Sequence, residues 1–223
     1  MKKIICLIVF VYSGVYSLIG QTSEPIVRIA GDSIVTNAKF LNPLFWDYQN
    51  ASFSLYKSFD VPIGNDTYQV NLSDYDVARG DGGFFRIIDI IKDNKIILRV
   101  PQSDGWDSLC TKEMQDDVSN KYFMTIHLSA TSVALVFVGY FYNSEPPLLT
   151  IVIIHNGKAK MVFNKPFIVK EIREIEGKTY FLLYDRFFEY VSGDEPVNEA
   201  VMYGIWNENG VLYFGGPYGT TKQ

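Results

Sequence analysis

The sequence is poor in cysteine and histidine, and both shortages limit the chemistry it can perform. Among 223 residues there are two cysteines and two histidines. Cys6 lies in an N-terminal apolar run, so Cys110 is the only cysteine of the remaining chain and an intramolecular disulfide is excluded there. We expect Cys110 to be a buried small hydrophobic residue. His127 and His155 fall in predicted strands, and a catalytic role is predicted for neither.

Familiar active-site and cofactor motifs are also missing. The sequence has no Gly-x-Ser-x-Gly elbow, no His-Glu-x-x-His or paired Cys-x-x-Cys metal motif, and no Gly-x-x-x-x-Gly-Lys phosphate loop. We therefore predict no cofactor and no catalytic residue, and the sequence favours a protein that is not an enzyme. A hydrolase of extracellular polymers that uses two carboxylates is the alternative, because such a pair has no sequence motif.

Long apolar runs are missing too. The longest at the N terminus, Ile4–Val11, follows two lysines and is less than half of the roughly 20 residues that a membrane-spanning helix needs. Residues 1–20 have the layout of a secretory signal peptide, with cleavage after Ser17 or Gly20. We therefore expect export to the periplasm or the extracellular space of a bacterium, with no transmembrane segment left after cleavage.

Basic residues are outnumbered by acidic ones. The formal net charge is −5, and removal of Lys2 and Lys3 with the signal peptide makes it −7. An acidic chain repels phosphate backbones, and no basic stripe offsets this charge. We exclude nucleic acid as a partner.

What the sequence has in plenty is short runs of Val, Ile, Phe, Tyr and Leu between turn residues. Asp93-Asn94, Asn156-Gly157, Glu176-Gly177 and Asn209-Gly210 each separate two such runs, as in β-hairpins. Residues 21–223 are predicted to form a single all-β domain, because no linker divides them. We expect an antiparallel meander that forms a sandwich or barrel, with a small propeller-like fold as the alternative.

Three segments carry more specific predictions. The spacing of Cys110, Met114 and Val118 predicts one short amphipathic helix. The segment Val169–Ile175 fits a helical turn or a bulged strand, and its β neighbours favour the strand. Val133–Tyr142 is apolar on both faces, which predicts a strand in the centre of a sheet or between a sheet and another layer.

Two aromatic and acidic neighbourhoods are the candidate ligand-contacting surface. Tryptophan rings pack on the C–H faces of sugars, while carboxylates accept hydrogen bonds from sugar hydroxyls. For Trp106 a core position is an equally open interpretation, and for Trp206 the core is favoured. The leading hypothesis is an exported, non-enzymatic binding module with a glycan or an envelope protein as partner, and a structural envelope protein is a further alternative. The candidate residues are Trp46, Tyr48, Asp104, Trp106 and Asp107.

One acidic stretch resembles a metal loop in composition only. Asp74, Asp76 and Asp81 lie close together beside three glycines, and calcium prefers several oxygen ligands on such loops. Ala78 occupies the position where an EF-hand would need another oxygen. A solvated acidic turn explains the stretch better, so no metal site is predicted.

Overall fold

About four fifths of the residues that the structure describes lie in β-strands. The computed structural model describes residues 23–42, 51–75, 85–107, 122–139, 148–175, 178–184, 200–216 and 220–221. Within these ranges the only helical element is a 3₁₀ turn at Ala38–Phe40. The predicted all-β fold is confirmed, whereas the signal peptide and the helix near Cys110 lie outside the described residues. The strands are β1 (Ser23–Ala30), β2 (Ser33–Thr36), β3 (Phe53–Ile63), β4 (Asp66–Tyr75), β5 (Phe85–Lys92), β6 (Lys95–Trp106), β7 (Met124–Ser129), β8 (Ser132–Phe137), β9 (Leu148–His155), β10 (Lys158–Pro166), β11 (Ile168–Ile175), β12 (Lys178–Tyr184), β13 (Ala200–Glu208), β14 (Val211–Gly215) and β15 (Thr220–Thr221).

These strands form three antiparallel sheets. The small outer sheet has the order β3-β4-β5-β6, and the central sheet has the order β10-β9-β8-β7. The large outer sheet has the order β11-β12-β13-β14-β1-β2, with β15 paired to β13. Each sheet is a meander of consecutive strands, except that β1 pairs with β14 and β15 pairs with β13. The predicted antiparallel meander is therefore confirmed.

Strands β8 and β9 of the central sheet are buried on both faces, which makes the fold a stacked sandwich. Along β8, Ala134 and Val136 pack into the core shared with the large outer sheet. The alternating residues Val133, Leu135 and Phe137 pack into the core shared with the small outer sheet. Successive side chains of a strand point to opposite faces, so an uninterrupted apolar strand is what a middle layer requires. The predicted position of this strand is confirmed.

The tight turns carry the residues that their backbone conformation requires. Asp93 and Asn94 both have positive φ, at 50° and 60°, as do Asn156 and Asn209 at 43° and 52°. Asparagine, aspartate and glycine tolerate this region, and two such residues make the turn that matches the twist of a hairpin. The hairpins predicted at Asp93-Asn94, Asn156-Gly157 and Asn209-Gly210 are confirmed, and the turn predicted at Glu176-Gly177 lies outside the described residues. The strand prediction for Val169–Ile175 is also confirmed, and β11 carries a bulge between Val169 and Glu171.

Contacts between turns of different sheets place these turns at one end of the stack, called here the turn end. A Cβ on Gly64, in the β3–β4 turn, would lie 3.3 Å from the Ala130 carbonyl oxygen in the β7–β8 turn. Gly157, in the β9–β10 turn, donates its backbone N–H to the Tyr68 hydroxyl of the small outer sheet at 2.7 Å. The opposite ends of the strands, called the loop end, carry most of the longer connections. None of the helical structure in the described ranges is long and apolar enough to cross a membrane.

Candidate functional site

Trp106 lies at the loop end of the interface between the small outer sheet and the central sheet. It ends β6 just after Gly105, whose φ of 76° bends the strand. The Trp106 side chain is fully buried and stacks on Phe85, with ring centroids 5.7 Å apart. The backbone of Trp106 forms a bridge to Gly139, next to β8, so this residue joins the two sheets. Its ring belongs to the core, which is one of the two interpretations that the sequence left open.

A chain of buried polar groups continues from the Trp106 indole into the central sheet. The indole Nε1–H donates to Thr150 Oγ1 at 3.0 Å, and the Thr150 hydroxyl donates to Asn164 Oδ1 at 3.2 Å. On the side of β6, Gln102 Nε2 donates to the Gly105 carbonyl oxygen at 2.9 Å. We call these five residues the polar junction. It links β6 to β9 and β10 through hydrogen bonds. Thr150 and Asn164 are fully buried, so these bonds lie inside an otherwise apolar interface.

A pair of tyrosines lies beside this junction. The hydroxyls of Tyr56 and Tyr122 are 3.3 Å apart, and their rings meet edge to face with centroids 5.8 Å apart. Tyr122 is only 5% exposed. Burial, followed by the hydrogen bond with Tyr56 and the negative charge of Asp107, raises the pKa of Tyr122 from 10.0 to about 12. Tyr122 therefore stays protonated in the folded chain at pH values where an unfolded tyrosine ionises.

This tyrosine should make the fold sensitive to alkali. Because the folded state holds the Tyr122 proton up to about pH 12 and the unfolded state releases it near pH 10.0, stability should fall across that interval. The loss is at most about 1.4 kcal/mol per pH unit. Denaturant unfolding at pH 9, 10 and 11 should show it, and Tyr122→Phe should lack this component. Tyr56→Phe, which removes only the hydrogen bond, should keep part of it. An identical pH dependence in Tyr122→Phe and the parent chain would contradict the assignment.

The most reactive-looking pair in the described part of the chain is Ser132 and His155, which face each other on β8 and β9. Ser132 Oγ lies 2.6 Å from His155 Nδ1, and His155 Nε2 lies 2.8 Å from the Gly31 carbonyl oxygen. A carbonyl oxygen only accepts, so Nε2 carries a proton, and in the neutral ring Nδ1 then accepts the serine proton. Both side chains are buried, Ser132 completely and His155 to within 4% exposure. The pair therefore ties the β1–β2 turn of the large outer sheet to the central sheet and offers no open nucleophile.

Several carboxylates are held by ion pairs. Asp89 accepts two hydrogen bonds from Arg99, from Nε at 2.7 Å and from Nη2 at 2.6 Å. Asp74, from the acidic stretch that resembles a metal loop, forms an ion pair with Arg86. Asp76 and Asp81 lie outside the described residues. Within the described ranges no group of three or more histidine, cysteine, aspartate or glutamate side chains is arranged to hold a metal ion.

The structure places the candidate ligand-contacting residues unevenly. Trp106 is in the interior, and Asp107 follows it at the loop end, half-buried, with its backbone N–H donating to the Val138 carbonyl oxygen at 3.0 Å. Asp104 belongs to β6, and only its backbone is described. Trp46 and Tyr48 lie outside the described residues. The core position favoured for Trp206 is confirmed, at 9% exposure.

Two features of this region carry no recognisable signal in the sequence. Gln102 and Asn164 have no motif that marks them, since one polar residue in an apolar strand is also typical of a solvent-facing position. The partner of His155 is equally hidden, because it depends on the register between β8 and β9. His127 lies on the exposed face of β7, as its alternation with apolar neighbours predicts.

Comparison with known proteins adds no relative. No protein-family model, no curated protein and no solved structure matches the chain.

Proposed function

We propose that this chain is an exported, non-enzymatic binding module that contacts its ligand at the loop end. The observation that carries the proposal is the separation of connections between the two ends of the sandwich. The hairpins β1–β2, β3–β4, β5–β6, β7–β8, β9–β10 and β13–β14 all turn in two residues at one end. A rigid stack of sheets with its longer connections at the other end is an arrangement that binding proteins use.

The placement of reactive side chains supports a binding role over catalysis. Ser132 and His155 bond to each other in the interior, and Asp89 is held by Arg99. A catalytic nucleophile or base has to reach a substrate, and this serine and histidine do not reach the surface. Their hydrogen bonds serve to fix one sheet to another.

A glycan is the ligand class that we propose. Asp107 places a half-buried carboxylate at the loop end, close enough to Tyr122 to influence its pKa. Carboxylates beside aromatic rings suit sugars, which offer hydroxyl donors and flat C–H faces. Trp46 and Tyr48, from the connection between β2 and β3, and Asp104, near the end of β6, remain proposed contributors.

Binding to a glycan panel tests this proposal with a matched pair of variants. Asp107→Asn removes a charge at the loop end, and Asp93→Asn removes one at the turn end, where asparagine also tolerates the φ of 50°. We expect saturable binding to one glycan class, weakened about tenfold or more by Asp107→Asn, a loss of roughly 1.4 kcal/mol. Asp93→Asn should bind like the parent chain. Equal effects of the two substitutions, or no binding to any glycan, would contradict a glycan site at the loop end.

The proposal of export rests on the signal-peptide layout of residues 1–20, and a separate experiment tests it. Mass spectrometry of the protein recovered from a fractionated bacterial host should show a chain that starts after Ser17 or Gly20. A full-length chain confined to the cytosolic fraction would contradict export without affecting the binding test.

A further inference from the structure

Two buried amide atoms of the polar junction have hydrogen-bonding capacity that no described residue uses. Gln102 Oε1 is an acceptor and Asn164 Nδ2 is a donor. Neither atom has a hydrogen-bond partner among the described residues. Gln102 is 4% exposed and Asn164 is fully buried. Buried amides are nearly always hydrogen-bonded, because an unpaired one has lost its bonds to water without replacement.

Exchanging the oxygen and nitrogen atoms of either amide does not remove the mismatch. Gln102 must direct Nε2 at the Gly105 carbonyl oxygen, because two oxygens without a proton between them would repel. Asn164 must likewise direct Oδ1 at Thr150, because the Thr150 oxygen already accepts from the Trp106 indole and the Thr150 proton needs an acceptor. One amide atom of each residue therefore needs an additional partner in any assignment.

The two unpaired atoms complement each other chemically and belong to one connected cluster. Gln102 donates a hydrogen bond to the carbonyl oxygen of Gly105, which precedes Trp106. The Trp106 indole donates to Thr150, and the Thr150 hydroxyl donates to Asn164. Phe85 and Phe137 pack around Trp106 on the apolar side, with ring centroids 5.7 and 6.4 Å from it. A small neutral molecule that both donates and accepts would satisfy an acceptor and a donor in such a setting.

We propose that the polar junction is a binding site for an ordered water molecule that accepts from Asn164 and donates to Gln102. Water is the smallest ligand with both capacities, and buried waters typically make about three hydrogen bonds to groups that are otherwise unsatisfied. The water joins β6 of the small outer sheet to β10 of the central sheet. It completes the link that Trp106 and Thr150 begin.

Nuclear magnetic resonance on the intact mature chain tests this site directly. In the parent chain, the Asn164 side-chain amide protons should show a rotating-frame Overhauser cross-peak to a long-lived water. Water-deuteron relaxation dispersion should lose a contribution of about one long-lived water in Asn164→Leu. The control Tyr68→Phe removes a hydrogen bond to Gly157 at the turn end, where both atoms are paired, and should leave that contribution unchanged.

Two results would contradict a bound water at the polar junction. A cross-peak that is absent although the Asn164 amide protons are protected from exchange would overturn the proposal. So would a relaxation amplitude that is the same in Asn164→Leu and the parent chain. If Asn164→Leu does not fold, Gln102→Met takes its place in the relaxation comparison. The cross-peak is measured in the parent chain, so it tests the proposal without any variant.

Discussion

Replacing Trp106 by alanine should lower the free energy of unfolding by about 3 to 5 kcal/mol, the largest single effect that we expect. The side chain is fully buried, stacks on Phe85 and donates its indole N–H to Thr150. Alanine would leave a cavity between the small outer sheet and the central sheet, at the loop end of their interface. Denaturant unfolding followed by circular dichroism measures the change independently of tryptophan fluorescence.

Two further variants show how the Trp106 effect arises. Trp106→Phe keeps most of the apolar ring and loses the hydrogen bond, so its cost should be about 1 to 3 kcal/mol. Leu55→Ala changes a side chain that is 54% exposed and should alter stability by no more than about 0.5 kcal/mol. A loss below roughly 1 kcal/mol in Trp106→Ala would contradict the packing described for this interface.

Replacing His155 by alanine should lower the free energy of unfolding by about 3 kcal/mol. The substitution removes two hydrogen bonds, and it leaves the Ser132 hydroxyl and the Gly31 carbonyl oxygen without their partner. Because Ser132 is fully buried, that hydroxyl has no route to bulk water. Thermal and denaturant unfolding at neutral pH measure the loss.

The other histidine provides the matched control. His127→Ala alters an exposed side chain and should change stability by less than about 0.5 kcal/mol. Ser132→Ala removes the other partner, so the double variant His155→Ala with Ser132→Ala should cost less than the two single changes combined. Strict additivity of the two would show that the hydrogen bond between them contributes nothing.

The fold was predictable wherever local chemistry decides the backbone. Asp93-Asn94, Asn156-Gly157 and Asn209-Gly210 mark hairpins because few other residues accept their positive φ angles. The middle layer was predictable from Val133–Phe137, since a strand without polar alternation has no face for solvent. Both arguments use only neighbouring residues, so neither needs knowledge of strand pairing.

The candidate site depended on contacts that are distant in sequence, and it was predicted less well. Ordinary pairing breaks down near Trp106: Ile87 pairs with Pro101, but Phe85 pairs with Trp106, so β6 carries several extra residues there. A regular alternation of inward and outward side chains is lost across such an irregularity. For the same reason the pairing of Ser132 with His155 could not be inferred, because it is set by register.

The pairing of β1 with β14 has a consequence for the order in which the molecule is assembled. Arg28 is paired with Val211 and Ser23 with Gly215, so β1 can pair only after the chain has been synthesised as far as β14. The small outer sheet and the central sheet pair consecutive strands and can form as their hairpins emerge, whereas this closure carries the loop entropy of nearly the whole chain. In two incompletely folded copies, β1 and the edge of β14 are both unpaired. The β1–β2 hairpin of one copy can then pair with β14 of the other, which favours exchange of this hairpin between copies. Slow release from the ribosome would thus prolong the interval in which one copy can form a domain-swapped dimer with another.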